Sequence, residues 1–418
     1  MKMAVIGGGS TYTPELIDGI ARSSKLAVDE VVLADPAADR LDLVGGVSRR
    51  MLAREGRSGI TLRTTTDLDD AVTDAEVVLI QLRVGGQEAR RGDETFPLAC
   101  GCVGQETTGA GGLAKALRTV PVVLDVADRV RRLAAPGAWI VDFTNPVGIV
   151  TRALLDAGHR AVGLCNVAIG FQRWFAQLLD VAPERVQLDH LGLNHLSWER
   201  AVLLDGVDVL PTLLAEHAED IADRIELPVG VVRQLGTVPS YYLRYFYAHD
   251  LVVREELTEP PRAEKVAEIE RQLLKLYADP ELNTKPELLT QRGGAFYSEA
   301  ALDLVTSLLS DTGDVQIVDI RNQGTLPFLP DDAVIETPAR ITASGAVALP
   351  AAPVDPLYAG LIAHTAAYEE LAVEAAVLGG EDRVFKALLA HPLIGQIEQA
   401  QALTQNLIAD NKGYLAWV

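Results

Sequence analysis

A cysteine and a histidine each lie just beyond a strand-like stretch of the sequence. Cys165 directly follows the apolar stretch 161–164, and His195 lies two residues after Val186–Leu193. A thiolate and an imidazole suit a divalent transition metal, and two protein ligands leave coordination positions open. Taken singly, each residue is more often a buried hydrophobe or a hydrogen-bonded structural group. Together, at adjacent strand ends, they predict a metal centre that acts as a catalytic Lewis acid.

A glycine-rich turn follows the first strand-like stretch, residues 3–6. Glycines there allow the backbone to approach a pyrophosphate, which the amino end of the next helix stabilises. The fingerprint is imperfect, because Tyr12 stands where Gly or Ala is expected. We predict that a dinucleotide is held by Gly7, Gly8, Gly9, Ser10 and Thr11.

Asp35 ends the second strand-like stretch, 31–34, and is assigned to the same cofactor. A carboxylate there accepts the ribose hydroxyls and repels a 2′-phosphate, which favours NAD over NADP. The alternative is a turn aspartate before Pro36. Arg83, which follows residues 77–82, is also assigned to the cofactor site.

Four tyrosines lie within residues 241–247. Most of them are expected to cover the core as an aromatic helix face. A single phenol close to a metal would have a lowered pKa and could serve as a general base.

The first 200 residues alternate short apolar stretches with helical segments, the pattern of a doubly wound parallel sheet. The predicted strands are 3–6, 31–34, 77–82, 138–143, 161–164 and Val186–Leu193. One predicted helix begins after Asp67, and another starts near Pro121 and runs to Leu133. Longer helices, 263–277 and 358–378, indicate a mixed α+β, helix-rich second part. We predict an α/β Rossmann-type domain over residues 1–165 and a second domain over 166–418.

The net charge of −21 argues against nucleic-acid or anionic-membrane partners, because both require a basic surface. This net charge does not exclude a small anionic substrate that is bound by a few arginines. Three cysteines are too few for a disulfide framework and fit a reducing cytosol. The amino-terminal residues lack a signal-peptide pattern, so a cytoplasmic location is expected.

Several motifs together resemble the family 4 glycoside hydrolases, and within them the 6-phospho-β-glucosidases. Nearly the whole chain takes part in the resemblance. The motifs are Ile6-Gly-Gly-Gly-Ser10, Arg83-Val-Gly-Gly, Gly104-Gln-Glu-Thr-Thr-Gly109, Thr144-Asn-Pro146, Gly163-Leu-Cys-Asn166, Gly192-Leu-Asn-His-Leu196, Tyr242-Leu-Arg-Tyr245, Arg292-Gly-Gly294 and Arg321-Asn322.

The resemblance implies roles for particular residues. Cys165 and His195 match manganese ligands, and Tyr242 matches the base that removes the sugar C2 proton. The substrate-binding positions that it implies are Arg90 and Arg262 for the phosphate, Asn145 and Asn166 for the sugar, and Glu106. Asp142 departs from the pattern, because relatives commonly carry an amide there. Tyr241 lies beside Tyr242, so the base could be either tyrosine.

The implied activity is hydrolysis of 6-phospho-β-glucosides, either phosphorylated disaccharides such as cellobiose 6-phosphate or aryl glucosides. NAD⁺ oxidises the C3 hydroxyl, the C2 proton becomes acidic, the aglycone is eliminated, water adds, and the ketone is reduced again. The two-carboxylate mechanism of most glycosidases does not apply to this NAD-dependent class. The family also implies a homodimer or homotetramer.

Two other interpretations compete. A 2-hydroxyacid dehydrogenase of the lactate or malate type shares the fold and the Thr-Asn-Pro-Val run at 144–147. Such an enzyme carries a Gly-Glu-His-Gly loop instead of Gly-Leu-Asn-His-Leu and leaves Cys165 without a role. A catalytically silent NAD-binding sensor would not need the Cys, His, Tyr and Arg positions. Turnover of a chromogenic 6-phosphoglucoside with NAD⁺ and Mn²⁺ separates all three.

Overall fold

A computed structural model describes residues 1–293 and 296–418; Gly294 of the Arg292-Gly-Gly294 motif therefore lies outside the described residues. The described chain forms one sheet of thirteen strands. The first six are β1 (Lys2–Ile6), β2 (Glu30–Ala34), β3 (Thr61–Thr65), β4 (Val77–Ile80), β5 (Trp139–Asp142) and β6 (Ala161–Gly163). The others are β7 (Val186–Leu193), β8 (Leu196–Leu204), β9 (Val207–Asp208), β10 (Val238–Pro239), β11 (Val315–Arg321), β12 (Val334–Thr342) and β13 (Gly345–Ala348).

The first six strands are parallel and lie in the order β3-β2-β1-β4-β5-β6. This is the Rossmann order, so the predicted fold class is confirmed. The sheet continues beyond β6 through antiparallel β11, β12, β7, β8 and β10. The predicted division after residue 165 stays a prediction, because the sheet is continuous across it.

Helices cover both faces of this sheet. Those of the first half are α1 (Thr13–Arg22), α2 (Ala38–Arg54), α3 (Leu68–Val72), α4 (Gly86–Thr95), α5 (Gly109–Leu133), α6 (Val147–Asp156), α7 (Val167–Leu178) and α8 (Leu210–Glu216). Those of the second half are α9 (Ala218–Ile225), α10 (Val229–Leu235), α11 (Arg244–Tyr247), α12 (His249–Glu256), α13 (Arg262–Tyr277), α14 (Tyr297–Ser310), α15 (Pro356–Leu378), α16 (Glu381–Ala390) and α17 (Ile397–Asn411). Short 3₁₀ helices span Phe96–Cys100, Pro183–Arg185, Tyr241–Leu243 and Glu287–Arg292.

Alternate residues of the parallel strands enter two separate cores. Ala4 and Ile6 of β1 pack with α5, α15, α16 and α17, whereas Met3 and Val5 pack with α1, α2, α13 and α14. Strands buried on both faces need apolar residues at every position, not at alternate ones. This explains why the sequence shows continuous apolar stretches there.

One sequence prediction needs correction, and one strand was not predicted. The helix expected to begin near Pro121 begins at Gly109, and Pro121 lies inside it. A proline inside a helix costs about 3 kcal/mol, but residues 109–120 are all buried, and their packing outweighs that loss. The edge strand β3 was not predicted, because its sequence Thr-Leu-Arg-Thr-Thr is mostly polar.

Other predicted boundaries are close to the observed ones. Strand β7 matches its prediction at both ends, and β4 ends two residues earlier than predicted, at Ile80. Asp67 caps α3 through hydrogen bonds from the backbone N–H groups of Asp69 and Asp70, as expected. Within residues 1–293 and 296–418, no helix combines the length and the apolar character needed to cross a bilayer.

Candidate active site

A cavity of about 1190 Å³ opens at the carboxyl ends of the parallel strands. Its wall is strongly cationic although the whole chain carries a net charge of −21. Three carboxylates line it, from Asp35, Glu106 and Glu270, against seven cations, from Arg40, Arg83, Arg90, Lys115, Arg262, Arg271 and Arg292. A cationic cleft in an acidic protein selects anionic ligands.

The glycine-rich turn forms one wall of this cavity. Gly7 has φ +87°, and a Cβ there would lie 2.5 Å from the carbonyl oxygen of Gln81. Gly9 also lines the cavity, and its N–H donates to Asp35 Oδ2 at 3.2 Å. Only glycine both adopts this positive φ readily and lacks the Cβ that would clash at position 7. Helix α1 begins just beyond the turn. The geometry fits a dinucleotide whose pyrophosphate lies on this turn.

The remaining predicted cofactor residues divide into two groups. Ser10, Asp35 and Arg83 line the cavity, whereas Gly8 and Thr11 lie behind it. Thr11 is fully buried, and its carbonyl oxygen accepts a hydrogen bond from the Tyr277 hydroxyl. Asp35 Oδ1 also accepts a hydrogen bond from the Ala37 N–H. This carboxylate therefore stabilises the turn that follows β2 and also lines the cavity.

A buried ion cluster surrounds the Glu106 carboxylate. Glu106 pairs with Arg83, with Arg90 at 3.2 Å and with Lys115 at 2.7 Å. Burial alone would raise the pKa of Glu106, but the three cations hold it well below its usual value. Burial and the nearby Arg83 lower the pKa of Lys115 to about 8. The cluster keeps more positive than negative charge at this end of the cavity.

The two predicted phosphate-binding arginines differ in their surroundings. Arg90 is buried and already donates to Glu94 at 2.7 Å. Arg262 is exposed at the first residue of α13 and lines the cavity, and no carboxylate in the described ranges pairs with it. Glu94 connects Arg90 to the start of α13, because its carboxylate also accepts a hydrogen bond from the Ala263 N–H at 2.7 Å. A dianionic group could therefore bind Arg262 without breaking an existing ion pair.

Tyr242 connects the predicted metal ligands. Its ring stacks on the His195 ring with centroids 3.6 Å apart and an angle of 8° between the planes. Tyr242 also packs against the apolar cluster that contains Cys165, and the Tyr297 side chain is hydrogen-bonded to the Cys165 thiol. Tyr242 lines the cavity, whereas Cys165 and His195 are buried behind that lining. The structure thus brings the predicted base and both predicted ligands together.

The backbone holds His195 in an uncommon conformation. His195 lies in the two-residue connection between β7 and β8 with φ +65°. A non-glycine residue in that region costs about 1–2 kcal/mol, and such strain is typical of functional sites. Burial, with Lys115, lowers the pKa of His195 to about 3, so the imidazole is neutral at pH 7.

The donor set fits a catalytic metal. A neutral imidazole can ligate directly, whereas burial and the Glu336 carboxylate raise the pKa of the Cys165 thiol well above its usual value. A bound divalent cation would deprotonate this thiol. Across the described ranges, no group of three or more His, Cys, Asp or Glu side chains could hold a metal. Two protein ligands would therefore leave positions open for substrate oxygens.

The predicted sugar-binding asparagines follow β5 and β6, and both line the cavity. Asn145 Oδ1 is buried without a hydrogen-bond partner in the described part of the chain. Asn166 occupies the amino-terminal cap position of α7. Asp142, the predicted departure from the family pattern, is buried, and burial raises the pKa of its carboxyl group well above the usual value.

Sequence reasoning missed several cavity residues. Lys115 and Arg118 are two buried cations in the otherwise apolar first half of α5, which is a usable signal, because such cations need buried partners. Tyr297 lines the cavity with no sequence signal of its own. Glu270 binds Arg292 at 3.0 Å and lies 3.6 Å from Arg40, whose Nε donates to the Gly9 carbonyl. These contacts join α13 to the glycine turn.

Known proteins share this architecture along the whole chain. The family model "Family 4 glycosyl hydrolase" matches residues 2–181, and "Family 4 glycosyl hydrolase C-terminal domain" matches residues 190–394. The 6-phospho-beta-glucosidase of Escherichia coli (strain K12) is 36% identical over 99% of this chain and 96% of its own.

Solved structures of other proteins share the fold of this chain. The 6-phospho-beta glucosidase from Thermotoga maritima with manganese, NAD+ and glucose-6-phosphate has a TM-score of 0.92 at 34% identity and covers 99% of both chains. The malate dehydrogenase from Salinibacter ruber, at 17% identity over 90% of this chain and 97% of its own, has a TM-score of 0.55 and shares the fold. With family models over both halves and a full-length relative above one-third identity, the chain belongs to the family 4 glycosyl hydrolases.

Proposed function

We propose that the protein hydrolyses 6-phospho-β-glucosides with NAD⁺ and a divalent metal, preferably Mn²⁺. The observation that carries the proposal is one cavity whose lining includes both the glycine turn and Tyr242, Glu106 and Arg262. A dinucleotide and a phosphorylated sugar are both anionic, and both suit its cationic wall. Relatives bound to manganese, NAD+ and glucose-6-phosphate support the assignment.

Different residues of the chain would bind the metal, bind NAD⁺ and remove the proton. Cys165 and His195 would hold the metal, and the glycine turn with Asp35 would hold NAD⁺. When bound, these groups supply reversible hydride transfer at C3 and neutralisation of charge on the sugar oxygens. Tyr242 removes the C2 proton, which lies next to the C3 ketone.

The substrate is oriented by side chains of the same cavity. Asn145 and Asn166 orient the sugar hydroxyls, and Arg90 and Arg262 bind the phosphate. Glu106 keeps Arg83, Arg90 and Lys115 in place through the ion pairs described above.

Asn166 favours β-linked substrates in this proposal. Relatives that act on α-linked phosphoglucosides commonly carry an acid at the residue after the cysteine, where it can protonate the leaving group. An amide cannot serve as a general acid. Substrates whose leaving group needs little protonation, such as aryl β-glucosides, should therefore react best.

The proposal is tested with purified protein, NAD⁺, Mn²⁺ and p-nitrophenyl 6-phospho-β-glucoside. We expect turnover that requires both NAD⁺ and Mn²⁺, with no net accumulation of NADH. The α-anomer and malate serve as controls. Oxidation of malate without glucoside cleavage would identify a dehydrogenase instead, and preference for the α-anomer would reverse the stereochemical assignment.

Arg262→Ala should lower kcat/KM for the phosphorylated substrate by about 10- to 150-fold, because a hydrogen bond to a charged group contributes roughly 1.5–3 kcal/mol. The unphosphorylated glucoside should be affected much less. Arg91→Ala is the matched control, since Arg91 is exposed and pairs with Glu264 outside the cavity. Equal losses on both substrates would assign Arg262 to the architecture of α13 and not to phosphate binding.

Asp35→Ala should shift cofactor preference toward NADP⁺, because the carboxylate that repels a 2′-phosphate is removed. The ratio of the two dissociation constants, measured by calorimetry, reports this shift independently of any general loss of affinity. Asp39→Ala, on α2 and outside the cavity lining, is the control. An unchanged ratio would show that Asp35 only holds its own turn.

A further inference from the structure

A second, small cavity of about 20 Å³ borders His195. It is formed where the β7–β8 connection meets α15. Thr365, Tyr368 and Glu369, all on α15, line it together with His195. None of these four residues lines the large cavity.

Polar atoms of all four residues are buried without a partner in the part of the chain that the structure describes. They are His195 Nδ1, Thr365 Oγ1, the Tyr368 hydroxyl and Glu369 Oε2. Each unsatisfied buried group costs about 1–3 kcal/mol. The four residues that carry these groups all line one cavity, which points to a shared hydrogen-bonding partner inside it.

The size of the cavity identifies that partner. One water molecule needs at least about 10–15 Å³ of this kind of space and two to four polar neighbours. The cavity provides about 20 Å³, enough for one water but not for a larger ligand, and four of its lining residues carry unpartnered buried polar atoms. We infer that one water molecule occupies this cavity and joins the His195 imidazole to the Glu369 carboxyl group.

Close packing holds Glu369 beside the β7–β8 connection. A Cβ at Gly148 would lie 2.9 Å from Glu369 Oε1 and 3.3 Å from the Cβ of Asn194. Glycine at position 148 therefore allows the carboxyl group and the connection to approach each other. A larger residue there would clash with the Glu369 carboxyl group and would crowd Asn194, so this arrangement would have to shift.

The water has a consequence for the metal centre, and this step rests on the proposed function. An Nδ1–H that donates to water fixes the tautomer of His195 and leaves Nε2 to ligate the metal. Ligating histidines in general donate their second nitrogen in this way, and loss of the outer partner costs about 10- to 100-fold in metal affinity. Glu369 is thus a positioning residue for His195.

The first test is a high-resolution crystal structure of the wild-type protein without metal. We expect a density peak about 2.7–3.2 Å from both His195 Nδ1 and the Glu369 carboxyl group. A cavity with no density, or one filled by a neighbouring side chain, would overturn the inference. This result does not depend on whether the protein binds Mn²⁺.

The second test is Mn²⁺ affinity, measured by calorimetry on folded variants. Glu369→Leu should lose the water and weaken Mn²⁺ binding about 10- to 100-fold, with NAD⁺ affinity unchanged. Glu369→Gln should retain both the water and the wild-type Mn²⁺ affinity. Glu374→Leu, on the exposed side of α15, is the control. Unaltered Mn²⁺ affinity in Glu369→Leu would overturn the link to His195. Failure of the wild type to bind Mn²⁺ would instead refute the proposed metal site.

Discussion

Tyr242→Phe should reduce the steady-state kcat by roughly 100- to 10,000-fold, the usual contribution of a general base. The substitution removes only the hydroxyl group. The ring that stacks on His195 at 3.6 Å is kept, so the protein should fold normally. Burial, with Tyr241 and Cys165, raises the pKa of this phenol well above its usual value. The hydroxyl can therefore act as a base only when a nearby cation stabilises the phenolate.

The neighbouring tyrosine provides the control. Tyr241 also lines the cavity, and its ring centroid lies 4.5 Å from that of Tyr242. Tyr241→Phe should retain more activity than Tyr242→Phe, because the hydroxyl that it removes is hydrogen-bonded to the Tyr242 hydroxyl and does not itself remove the C2 proton in this proposal. An active Tyr242→Phe protein combined with an inactive Tyr241→Phe protein would move the base by one residue.

Cys165→Ser should weaken Mn²⁺ binding by more than about 100-fold and abolish turnover while NAD⁺ affinity is nearly unchanged. Loss of a partner outside the ligand shell already costs about 10- to 100-fold. Loss of a ligand itself should cost more, because a thiol is deprotonated when it coordinates a metal, whereas the serine hydroxyl is far less acidic and offers a neutral ligand. Calorimetric titrations with Mn²⁺ and with NAD⁺ separate the two effects.

Cys102→Ser is the matched control for this substitution. Cys102 is also buried, but it packs in the core beneath α5 and does not line the cavity. Chelation of the wild-type protein should reproduce the Cys165→Ser defect, and added Mn²⁺ should reverse it. Full activity after exhaustive chelation would contradict a catalytic metal.

The positions of the site residues could be predicted because a parallel sheet brings the carboxyl ends of its strands to one edge. Gly7, Asp35, Arg83, Asn145 and Asn166 each follow a strand that the apolar pattern revealed, and all five line the cavity. The roles of Gly7 and Asp35 in binding NAD⁺ were inferred from the chemistry and position of these residues, whereas the sugar-binding roles of Asn145 and Asn166 came from the family resemblance.

Contacts between distant helices could not be predicted in the same way. Lys115 reaches Glu106 only because α5 begins at Gly109, well before the proline that was expected to start it. The contact between Glu270 and Arg292 depends on how α13 packs against the 3₁₀ helix Glu287–Arg292. No periodicity in the sequence encodes either arrangement.

The central claim is elimination after C2 proton removal, and deuterium incorporation tests it most directly. The wild-type protein is incubated with NAD⁺, Mn²⁺ and a 6-phospho-β-glucoside in D₂O, and the glucose 6-phosphate formed is examined by NMR. We predict deuterium at C2, because the proton removed by Tyr242 exchanges with solvent before the product is released. Direct displacement at C1 leaves the C2–H bond intact. Product without deuterium at C2 would contradict the proposed mechanism.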